Sequence, residues 1–569
     1  MGRYDNYGDY DAWVLSYDSL NDADRTFIRE DIRHLPQLPF FSILILPGHG
    51  QSLAEAHDLI ASLEGQLYPH WELLLPSGKE TSVPTNKRLR QIVLADQETP
   101  DLSHLVSIAA SLAEGEFLLP VPVDVIFRPN ALYEFAKAIN GDRYASVLYT
   151  DEDSITQDGK RSAPVFKTGW DPDLALTSNS FGLLVAYQVS LLESVGRVQL
   201  HSTDPFLALY ALSLHLGFAA EPKHIHHLSR VLCHRTKKAA ANTNFYAEGA
   251  RAILRQYLAS QDLQASVVAA PFASELTWVV RELPSQCPLV SIIIPTRDRA
   301  GLLERCVQSI LDNTSYPFFE VIVVDNDSRE KETALLFTKL CADSRVRILK
   351  SPGPFNYAKL NNFAALEAHG EIVVLLNNDT ATIDSTWLDE LVVQALRPDV
   401  GAVGAKLLYE NGQVQHAGMV FQPGIGPMHQ FRFAERAESG PTGVLALTRS
   451  VMMVTGACMA LRRSLYIEAG GLDEYLTVAY NDIDLCMRLG DLGYRIVWTP
   501  RAELFHFEGM SRGYDDTPEK RNIATRELSY FSRRWGSLMH SDPFRNDNLD
   551  YHWDSVLLSN RTRSPYIGL

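Results

Sequence analysis

Two polar clusters in the second half of the chain each follow a short apolar run. VIVVD ends in Asp325, with Asp327 two residues later, and EIVVLL is followed by Asn377, Asn378 and Asp379. In an open α/β sheet, ligands bind at the carboxyl ends of the strands. One carboxylate there can hydrogen-bond a ribose, and another can hold a divalent cation that bridges two phosphates. Either cluster alone is more typical of a turn after a strand, but the two together favour a nucleotide–metal site.

A third acidic segment, NDIDLCMRLG, has the pattern of an amphipathic helix that begins at Asn481 or Asp482. Asp482 and Asp484 then fall in the first turn, where the helix dipole favours an ionised carboxylate. Such a carboxylate at the edge of a cleft can act as a general base toward a hydroxyl. Asp484 can equally form an ordinary pair with Arg488 one turn later, so Asp482 is the better catalytic candidate.

Two further candidates lie in the segment LFHFEGMSRG. His506 stands between aromatic residues, which is the ordinary setting of a packed core histidine. Because it follows the acidic helix closely, it is also a candidate metal ligand: neutral imidazole binds transition metals such as manganese, and Asp379 would add a hard oxygen ligand. Arg512, in a Ser-Arg-Gly loop, is expected to neutralise a leaving diphosphate.

The elements that must position these residues occur twice along the chain. FFSILILPG and PLVSIIIPTRD are both apolar strands that end at a proline. Ser42 corresponds to Ser291 at an offset of 249 (291 − 42), and His234 corresponds to His506 at an offset of 272 (506 − 234). The offset between corresponding residues grows slowly along the chain, and the segments keep the same order in both halves. This pattern predicts two related domains, with small insertions in the second. Strands that alternate with helical patterns predict α/β domains with mainly parallel sheets.

Five segments are predicted from these patterns. A cap-rich start followed by helical spacing predicts a helix in the N-terminal extension, and a proline-rich stretch without a sustained period predicts a linker between the domains. The segments are an N-terminal helical extension at 1–38, a first domain at 39–268, a linker at 269–287, a second, catalytic domain at 288–540 and a C-terminal tail at 541–569.

Composition limits what the chain can bind. With 52 Lys and Arg against 69 Asp and Glu, the net charge of −17 repels phosphate backbones and argues against nucleic-acid binding. No apolar run approaches the 18 or so residues of a membrane span, and the start MGRYDNYGDYDAW lacks the features of a signal peptide. We therefore expect a cytoplasmic protein. The six scattered cysteines predict free thiols rather than disulfides or a zinc site.

The second half resembles the family 2 glycosyltransferases, which have the Rossmann-like GT-A fold. The segments that carry the resemblance are VSIIIPTRDR, VIVVDNDS, FNYAKLNNFAA, LLNND, NDIDLCMRLGDLGYRIVWTP and FHFEGMSRG. The resemblance implies inverting transfer of a sugar from a nucleotide-diphosphate donor (a UDP-, GDP- or dTDP-sugar) to a hydroxyl of a glycan or lipid-linked glycan. It implies Mn²⁺ or Mg²⁺ as cofactor, and peripheral association with the inner face of the plasma membrane.

The resemblance also implies roles for individual residues. Asp482 is expected to be the catalytic base, and Asp379 and His506 the metal ligands. Asn377 departs from the family pattern, because it stands where the usual DxD motif has its first Asp. The residues expected to bind the nucleotide sugar are Pro295, Thr296, Arg297, Asp325, Asp327, Asn361, Asn362, Asn377, Asn378 and Arg512.

The first domain resembles the extra domain of two-domain O-antigen and capsule glycosyltransferases through the segment YTDEDSITQDGKRSAPVFKTGWDPDLALTSNSFG. It keeps Asp124 and Asp204 at positions equivalent to acids of the second domain, but has Ser77 where a nucleotide-binding Asp is expected. We therefore expect two tandem GT-A domains, of which the first is degenerate and binds or orients the acceptor. The resemblance suggests bacterial surface polysaccharide synthesis.

Other functions stay open at this point. A bifunctional enzyme would use Asp124, Asp151 and Asp153 for a second transfer, although the acidic run around residue 152 is equally typical of a solvated loop. A glycan-binding scaffold would explain the first domain but not the acidic series of the second. A nucleotidyltransferase would usually bring a glycine-rich basic loop near the N-terminus, which we do not find. A retaining mechanism is also open, because fold alone does not fix stereochemistry.

Overall fold

A computed structural model of the 569-residue chain describes residues 9–48, 56–77, 89–93, 102–199, 202–236, 243–422, 426–508, 517–538, 542–552 and 554–560. These residues form two compact units. The first unit contains the described residues up to Val280, together with Arg545–Asp550 and those from Leu557 onward. The second unit contains Arg281–Phe544 and Tyr551–Val556. The boundaries that the sequence suggests at residues 38, 268, 287 and 540 remain predictions.

The first unit begins with two helices, α1 (Tyr10–Tyr17) and α2 (Asp22–Ile32). Asn21 and Asp24 form a capping box at the start of α2, because each side chain accepts a hydrogen bond from the other residue's backbone amide. The predicted N-terminal helices are therefore confirmed.

The rest of the first unit is built around one mixed sheet, whose strands run in the order β3-β2-β1-β4-β8-β6-β9-β5, with β7 beside β6. A separate two-stranded sheet follows and includes the start of the predicted linker. The elements are β1 (Phe41–Leu46), α3 (His57–Glu64), β2 (Trp71–Ser77), β3 (Leu89–Val93), α4 (Leu102–Leu112), β4 (Phe117–Pro122), β5 (Val125–Phe127), α5 (Ala131–Gly141), β6 (Val147–Ile155), β7 (Arg161–Val165), α6 (Pro172–Ala175), β8 (Val185–Gln188), α7 (Val189–Val195), α8 (Pro205–Ala219), β9 (Ile225–Thr236), α9 (Thr243–Ser260), β10 (Ala265–Ala270) and β11 (Ala273–Arg281).

The second unit repeats this order. Its main sheet runs β14-β13-β12-β15-β22-β17-β23-β16, with β18 beside β17 and β21 beside β23. The elements are β12 (Val290–Thr296), α10 (Ala300–Asp312), β13 (Phe319–Asp325), α11 (Lys331–Leu340), β14 (Val346–Lys350), α12 (Tyr357–Glu367), β15 (Ile372–Leu376), β16 (Thr380–Thr382), α13 (Trp387–Ala395), β17 (Val400–Leu408), β18 (Val414–His416), β19 (Met419–Gln422), β20 (Gly426–His429), β21 (Arg449–Val451), β22 (Cys458–Arg462), α14 (Arg463–Glu468), α15 (Asn481–Asp491), β23 (Arg495–His506) and α16 (Pro518–Trp535). Later in the chain, β24 (Leu549–His552) and β25 (Ser555–Leu558) form a separate two-stranded sheet.

The main sheet of the second unit is mixed. Strands β14, β13, β12 and β15 pair in parallel, and the last three of these are fully buried, while β22 and β16 pair with their neighbours in antiparallel fashion. The parallel pairing brings the carboxyl ends of β12, β13 and β15 to one edge of the sheet. The α/β fold class with parallel-containing sheets is thus confirmed. All six cysteines lie among the described residues and are free, as predicted. Within the described ranges, none of the helices is both long and apolar enough to span a bilayer.

A buried polar network ties the first three strands of each sheet together. In the second unit, Ser291 Oγ donates to Glu320 Oε1 (2.6 Å) and accepts from the Gly370 amide (2.8 Å), while Arg347 donates to Glu320 Oε2 (2.8 Å). The first unit has the same network: Ser42 Oγ donates to Glu72 Oε1 (2.6 Å), the Gly115 amide donates to Ser42 Oγ (3.0 Å) and Arg90 donates to Glu72 Oε2 (2.8 Å), which leaves each buried carboxylate hydrogen-bonded. This repetition agrees with the offsets seen in the sequence.

The network has no room for a side chain at its glycine, which yields a stability prediction. A Cβ on Gly370 would lie 2.5 Å from the Ser291 amide nitrogen and 2.8 Å from the Ile372 carbonyl oxygen, so the backbone would have to move. We expect Gly370→Ala to lower the free energy of unfolding by about 2 kcal/mol, measured by urea denaturation. The control is Gly301→Ala in α10, where nothing lies within 4 Å and a gain of up to about 1 kcal/mol is expected. Equal stability of Gly370→Ala and the wild type would contradict the network.

Candidate active site

A cavity of about 500 Å³ opens at the carboxyl ends of β12 and β15 in the second unit. Six residues predicted from the sequence line it together: Pro295, Thr296, Arg297, Asn377, Asn378 and Asp482. Seven other residues line the cavity without having been predicted as site residues, and these are Phe355, Tyr357, Thr455, Gly456, Ala457, Val478 and Asn481. Phe355 and Tyr357 stand in the quoted segment FNYAKLNNFAA, so their signal was present, whereas Thr455-Gly456 shows only as a turn after an apolar run.

The floor of the cavity is fixed by hydrogen bonds between neighbouring strand ends. Asn378 donates from Nδ2 to Thr296 Oγ1 (2.8 Å), and both residues are largely buried. The Asn377 amide donates to the carbonyl of Ala457 (3.1 Å), which precedes β22. Three adjacent strands therefore hold the asparagines in place.

Asp482 lies in the first turn of α15, as predicted, but the helix begins differently. Tyr480 is the residue before the helix and has a left-handed backbone (φ 63°), and no side chain caps the helix there. Asp482 instead accepts hydrogen bonds from the amides of Gly456 (2.7 Å, to Oδ2) and Ile483 (2.9 Å, to Oδ1). Burial raises the pKa of Asp482 above its usual range, and the two backbone donors only partly oppose this shift. The carboxylate is therefore oriented and more basic than a solvated one.

Gly456 links Asp482 to a second wall of the cavity. Its carbonyl accepts a hydrogen bond from the Tyr357 hydroxyl (2.8 Å), while its amide donates to Asp482. A Cβ at this position would lie 3.2 Å from the Tyr357 hydroxyl oxygen and 3.4 Å from the Asp482 Cβ. A glycine therefore suits this close approach, and α12 and α15 are tied to the same residue.

Asp379 and His506 adjoin the cavity floor and lie close together. Thr380 pairs with His506 across β16 and β23, which brings His506 Nε2 within 3.3 Å of Asp379 Oδ1 and 3.2 Å of Asn377 Nδ2. The other ring nitrogen, Nδ1, lies 2.7 Å from Gln415 Oε1. Because an amide oxygen only accepts, the proton is assigned to Nδ1. The Nε2 lone pair then points toward Asp379 and Asn377.

The donor set at this point fits a hard divalent cation that is completed by a substrate. One carboxylate oxygen and one imidazole nitrogen converge, which is typical of sites where diphosphate oxygens and water provide the remaining ligands. Among the described residues there is no group of three or more His, Cys, Asp or Glu side chains that could hold a metal ion alone. Gln415 supplies the outer hydrogen bond that commonly orients a metal-binding histidine.

The predicted residues after β13 form a turn of their own. Asp325 is buried and accepts from the Ser328 amide (2.9 Å), and Asp327 is exposed with a left-handed backbone (φ 66°). In the described structure neither side chain lines the cavity. Their contacts match the alternative interpretation, a polar turn after a strand.

Asn361 and Asn362 are engaged within the protein rather than at the cavity. Asn361 is buried and donates to the carbonyl of Tyr357 (2.8 Å). Asn362 holds Leu472 by both backbone groups, accepting from its amide (2.8 Å) and donating to its carbonyl (2.9 Å), and it also accepts from the Tyr466 hydroxyl (2.6 Å). Arg512 lies outside the described residues.

Asp484 has the structural role that the sequence left open. It is buried and accepts from Arg488 Nε (2.8 Å) one turn later and from Trp535 Nε1 (2.9 Å). Its two oxygens are therefore used inside the protein, whereas Asp482 faces the cavity.

The corresponding position in the first unit carries an arginine instead of His506. Val125 pairs with Arg235 across β5 and β9, as Thr380 pairs with His506 in the second unit. The equivalent residue is thus Arg235, at an offset of 271 (506 − 235), and not His234 as the sequence offset predicted. The same offset already holds at the start of β9 and β23, because Ile225 pairs with Val147 as Ile496 pairs with Ala402 (496 − 225).

Arg235 occupies the place where the second unit could hold a cation. Its Nε lies 3.4 Å from Asp124 Oδ2, and its guanidinium lies 4.0 Å from the centre of the Phe206 ring. Asp204 caps α8 by accepting from the amides of Phe206 (2.9 Å) and Leu207 (3.2 Å). A fixed positive charge in this place disfavours a metal ion.

The acidic run of the first unit is neither a solvated loop nor an open site. Asp151 and Asp153 lie on β6 and are buried. Asp151 accepts from Asn546 Nδ2 and Asn548 Nδ2 (2.9 Å each) and lies 2.8 Å from His227 Nε2. Burial alone would raise the pKa of Asp151, but its contact with His227 and the nearby Lys167 charge lower it. This carboxylate therefore stabilises the packing of the segment 545–550 in the first unit.

Asp153 has the same kind of surroundings. It lies 2.5 Å from His234 Nδ1 and accepts from Arg161 Nε (2.6 Å) and the Tyr10 hydroxyl (2.7 Å). Burial opposes its ionisation, but His234 and Arg161 outweigh this effect and lower the pKa of Asp153. It thereby anchors α1, so neither acid is available to a substrate.

Comparison with known proteins assigns the second unit. Residues 291–470 match the family model described as glycosyl transferase family 2. These residues form a glycosyltransferase domain of family 2. Asp482 and His506 lie beyond the matched part of the family 2 domain.

Two relatives are similar to nearly the whole chain. The uncharacterized protein y4gI of Sinorhizobium fredii is 35% identical over 97% of this chain and 62% of its own length. The O-antigen biosynthesis protein RfbC of Myxococcus xanthus is 35% identical over 95% of this chain and 42% of its own length. The chain thus spans less than two thirds of either relative.

A solved structure with some likeness is the mannosyltransferase PcManGT from Pyrobaculum calidifontis in complex with GDP-Man and Mn²⁺. It covers 52% of this chain and 79% of its own, with 20% identity and a TM-score of 0.34. A likeness at this level supports no conclusion about the family 2 domain's substrates.

The raised pKa of Asp482 leads to a prediction on stability. A carboxyl whose pKa is higher in the folded chain than the ordinary 3.8 stabilises the fold while it is protonated. This contribution is lost as pH rises through the folded pKa. We therefore expect Asp482→Asn to gain stability relative to the wild type as pH rises above the ordinary 3.8, measured by urea denaturation at several pH values. Parallel pH profiles of the two proteins would contradict the raised pKa.

Proposed function

We propose that the chain is a metal-dependent glycosyltransferase, which moves a sugar from a nucleotide-diphosphate donor to a hydroxyl of a glycan acceptor with inversion. The observation that carries this proposal is the convergence of two sets of groups at one cavity of a family 2 domain. Asp482, an oriented carboxylate with a raised pKa, lines the cavity together with Asn377 and Asn378, and Asp379 and His506 adjoin its floor.

The proposed reaction is a single displacement. The acceptor hydroxyl oxygen forms a bond to the anomeric carbon while the bond from that carbon to the diphosphate oxygen breaks. Asp482 takes the hydroxyl proton, and the Gly456 and Ile483 amides keep its two oxygens oriented during the transfer. A raised pKa favours this role because a more basic carboxylate accepts a proton more readily.

The proposed metal ligands are Asp379 and His506, with Gln415 as the residue that orients the imidazole. A bound Mn²⁺ or Mg²⁺ would neutralise the charge that develops on the leaving nucleoside diphosphate. Asn377, which hydrogen-bonds His506, takes the place of the first carboxylate of the usual DxD motif. The smaller charge of this motif is consistent with a metal held largely by the donor's own phosphates.

The donor is proposed to be a UDP-, GDP- or dTDP-sugar, and the acceptor a glycan or lipid-linked glycan of a bacterial surface polysaccharide. Similarity to an O-antigen biosynthesis protein supports this class of acceptor. A lipid-linked acceptor would require a cytoplasmic enzyme that associates peripherally with the inner face of the plasma membrane. Arg297 and the exposed ring of Phe355 line the cavity and offer a cation and a stacking surface to the nucleotide.

The first unit is proposed to be a non-catalytic, GT-A-like domain that binds or orients the acceptor. Arg235 in place of a histidine, and the internal contacts of Asp151 and Asp153, support this over the bifunctional alternative. A scaffold that only binds glycans would explain the first unit, but not the site of the second.

Two substitutions separate catalysis from binding. Asp482→Asn keeps an acceptor for the Gly456 amide but removes the base, so we expect transfer to fall by about a hundredfold or more. The affinity for the nucleoside diphosphate with Mn²⁺ should stay within about twofold, since donor contacts are untouched. Rates are measured by nucleotide release and affinity by calorimetry; normal turnover of Asp482→Asn would remove it from the base role.

Asp379→Ala is expected to change nucleotide binding, and a substitution in the first unit serves as its matched control. Asp379→Ala should weaken nucleotide binding in the presence of Mn²⁺ and leave any binding without metal unchanged, because only the cation's ligand is lost. Asp124→Ala, the equivalent change in the first unit, should leave turnover within about twofold of the wild type. Equal losses from both substitutions would favour the bifunctional enzyme.

A further inference from the structure

Helix α16 packs along the segment that leads into α15 in the second unit. Three of its side chains, spaced four residues apart on one face, contact successive parts of that segment; we call Glu527, Phe531 and Trp535 the α16 stripe. Phe531 stacks on Tyr480 at 5.2 Å between ring centres, and Trp535 Nε1 donates to Asp484 (2.9 Å). The stripe therefore holds the start of α15 from outside the cavity.

Glu527 makes several hydrogen bonds to the segment before α15. Its carboxylate is fully buried and accepts four hydrogen bonds from three consecutive residues. Oε1 accepts from the Thr477 amide (2.8 Å) and hydroxyl (2.5 Å), and Oε2 accepts from the amides of Val478 (3.3 Å) and Ala479 (2.8 Å). Hydrogen bonds to an ionised carboxylate are stronger than neutral ones, so the path of this backbone is strongly determined.

These three residues sit directly before the catalytic candidate. Val478 lines the cavity beside Asn481 and Asp482. Tyr480, between them, has a left-handed backbone, so a small shift at residues 477–479 would redirect α15. The other end of the same segment is held by Asn362 through Leu472.

We propose that Glu527 is a positioning residue for the transfer step, which fixes the segment 477–479 and thereby aims Asp482 at the acceptor hydroxyl. This inference rests on the proposed function. Glu527 does not line the cavity, so it acts only through the backbone that it holds. A misplacement of a catalytic group by a fraction of an ångström lowers the rate steeply while distant binding contacts persist. Loss of Glu527 should therefore lower the rate of transfer much more than donor affinity.

The test compares Glu527→Gln with Glu320→Gln in the full chain. Glu527→Gln keeps the shape of the side chain but replaces one carboxylate oxygen with an NH₂ group. Either Thr477 or the amides of Val478 and Ala479 then lose their hydrogen-bond acceptor. The second substitution changes another buried carboxylate, which holds the Ser291 network at the opposite end of the strands. Amide hydrogen exchange of residues 477–485 is measured without substrates, along with the melting temperature, the affinity for nucleoside diphosphate with Mn²⁺, and kcat.

For Glu527→Gln we expect exchange at 477–479 to rise about tenfold or more, kcat to fall about ten- to hundredfold, and nucleotide affinity to stay within about twofold. Glu320→Gln should lower the melting temperature but keep kcat within about twofold. Faster exchange with an unchanged kcat, or equal losses of kcat in both variants, would overturn the positioning role. A wild-type protein that transfers no sugar would overturn the proposed function instead. The hydrogen exchange of residues 477–479 would still show whether Glu527 holds this segment.

Discussion

Gly456 is the residue on which the geometry of the cavity depends. Its amide donates to Asp482 and its carbonyl accepts from Tyr357, so the two peptide groups that flank it tie α15 and α12 to the approach of β22. A Cβ at this position would press on the Tyr357 hydroxyl. Because β22 pairs with β15, the same tie sets the distance between Asp482 and the asparagines after β15. The proposed base is thus held by backbone amides, whereas Asn378 is held through the Thr296 hydroxyl.

The two units show how one scaffold can keep or lose such a site. Both use the same strand order and the same buried Ser–Glu–Gly network, so the elements that would position a site are retained in each. One difference between the units is the side chain at a single strand position. Histidine there offers a lone pair next to a carboxylate, whereas Arg235 fills the same place with its own charge. The first unit therefore keeps its fold while its acids serve packing.

Much of the site could be predicted because strand ends are visible in the sequence. Apolar runs that end in polar clusters located Asn377, Asn378 and Asp379, and helical spacing located Asp482 in the first turn of its helix. Asp325 and Asn362 fit the same patterns, yet their side chains bond to neighbouring backbone groups, and a sequence pattern does not reveal which partner a polar group finds.

Other features depend on contacts that sequence spacing cannot show. Glu527 reaches a segment 48 to 50 residues earlier in the chain, and Gly456 matters through what approaches it in space. His234 and His506 each follow a leucine by two residues and so look equivalent in the sequence, but the strand pairing places Arg235 opposite Val125 as it places His506 opposite Thr380.

The most direct test of the central claim is nucleotide release from a panel of UDP-, GDP- and dTDP-sugars, with and without Mn²⁺, followed by the anomeric configuration of the product. The account predicts release from at least one donor that requires both the metal and a glycan acceptor and gives a product of inverted configuration. Retained configuration would contradict a single displacement in which Asp482 acts as the base. Failure of a folded protein to bind or turn over any donor would contradict the assignment of this cavity as a glycosyltransferase site.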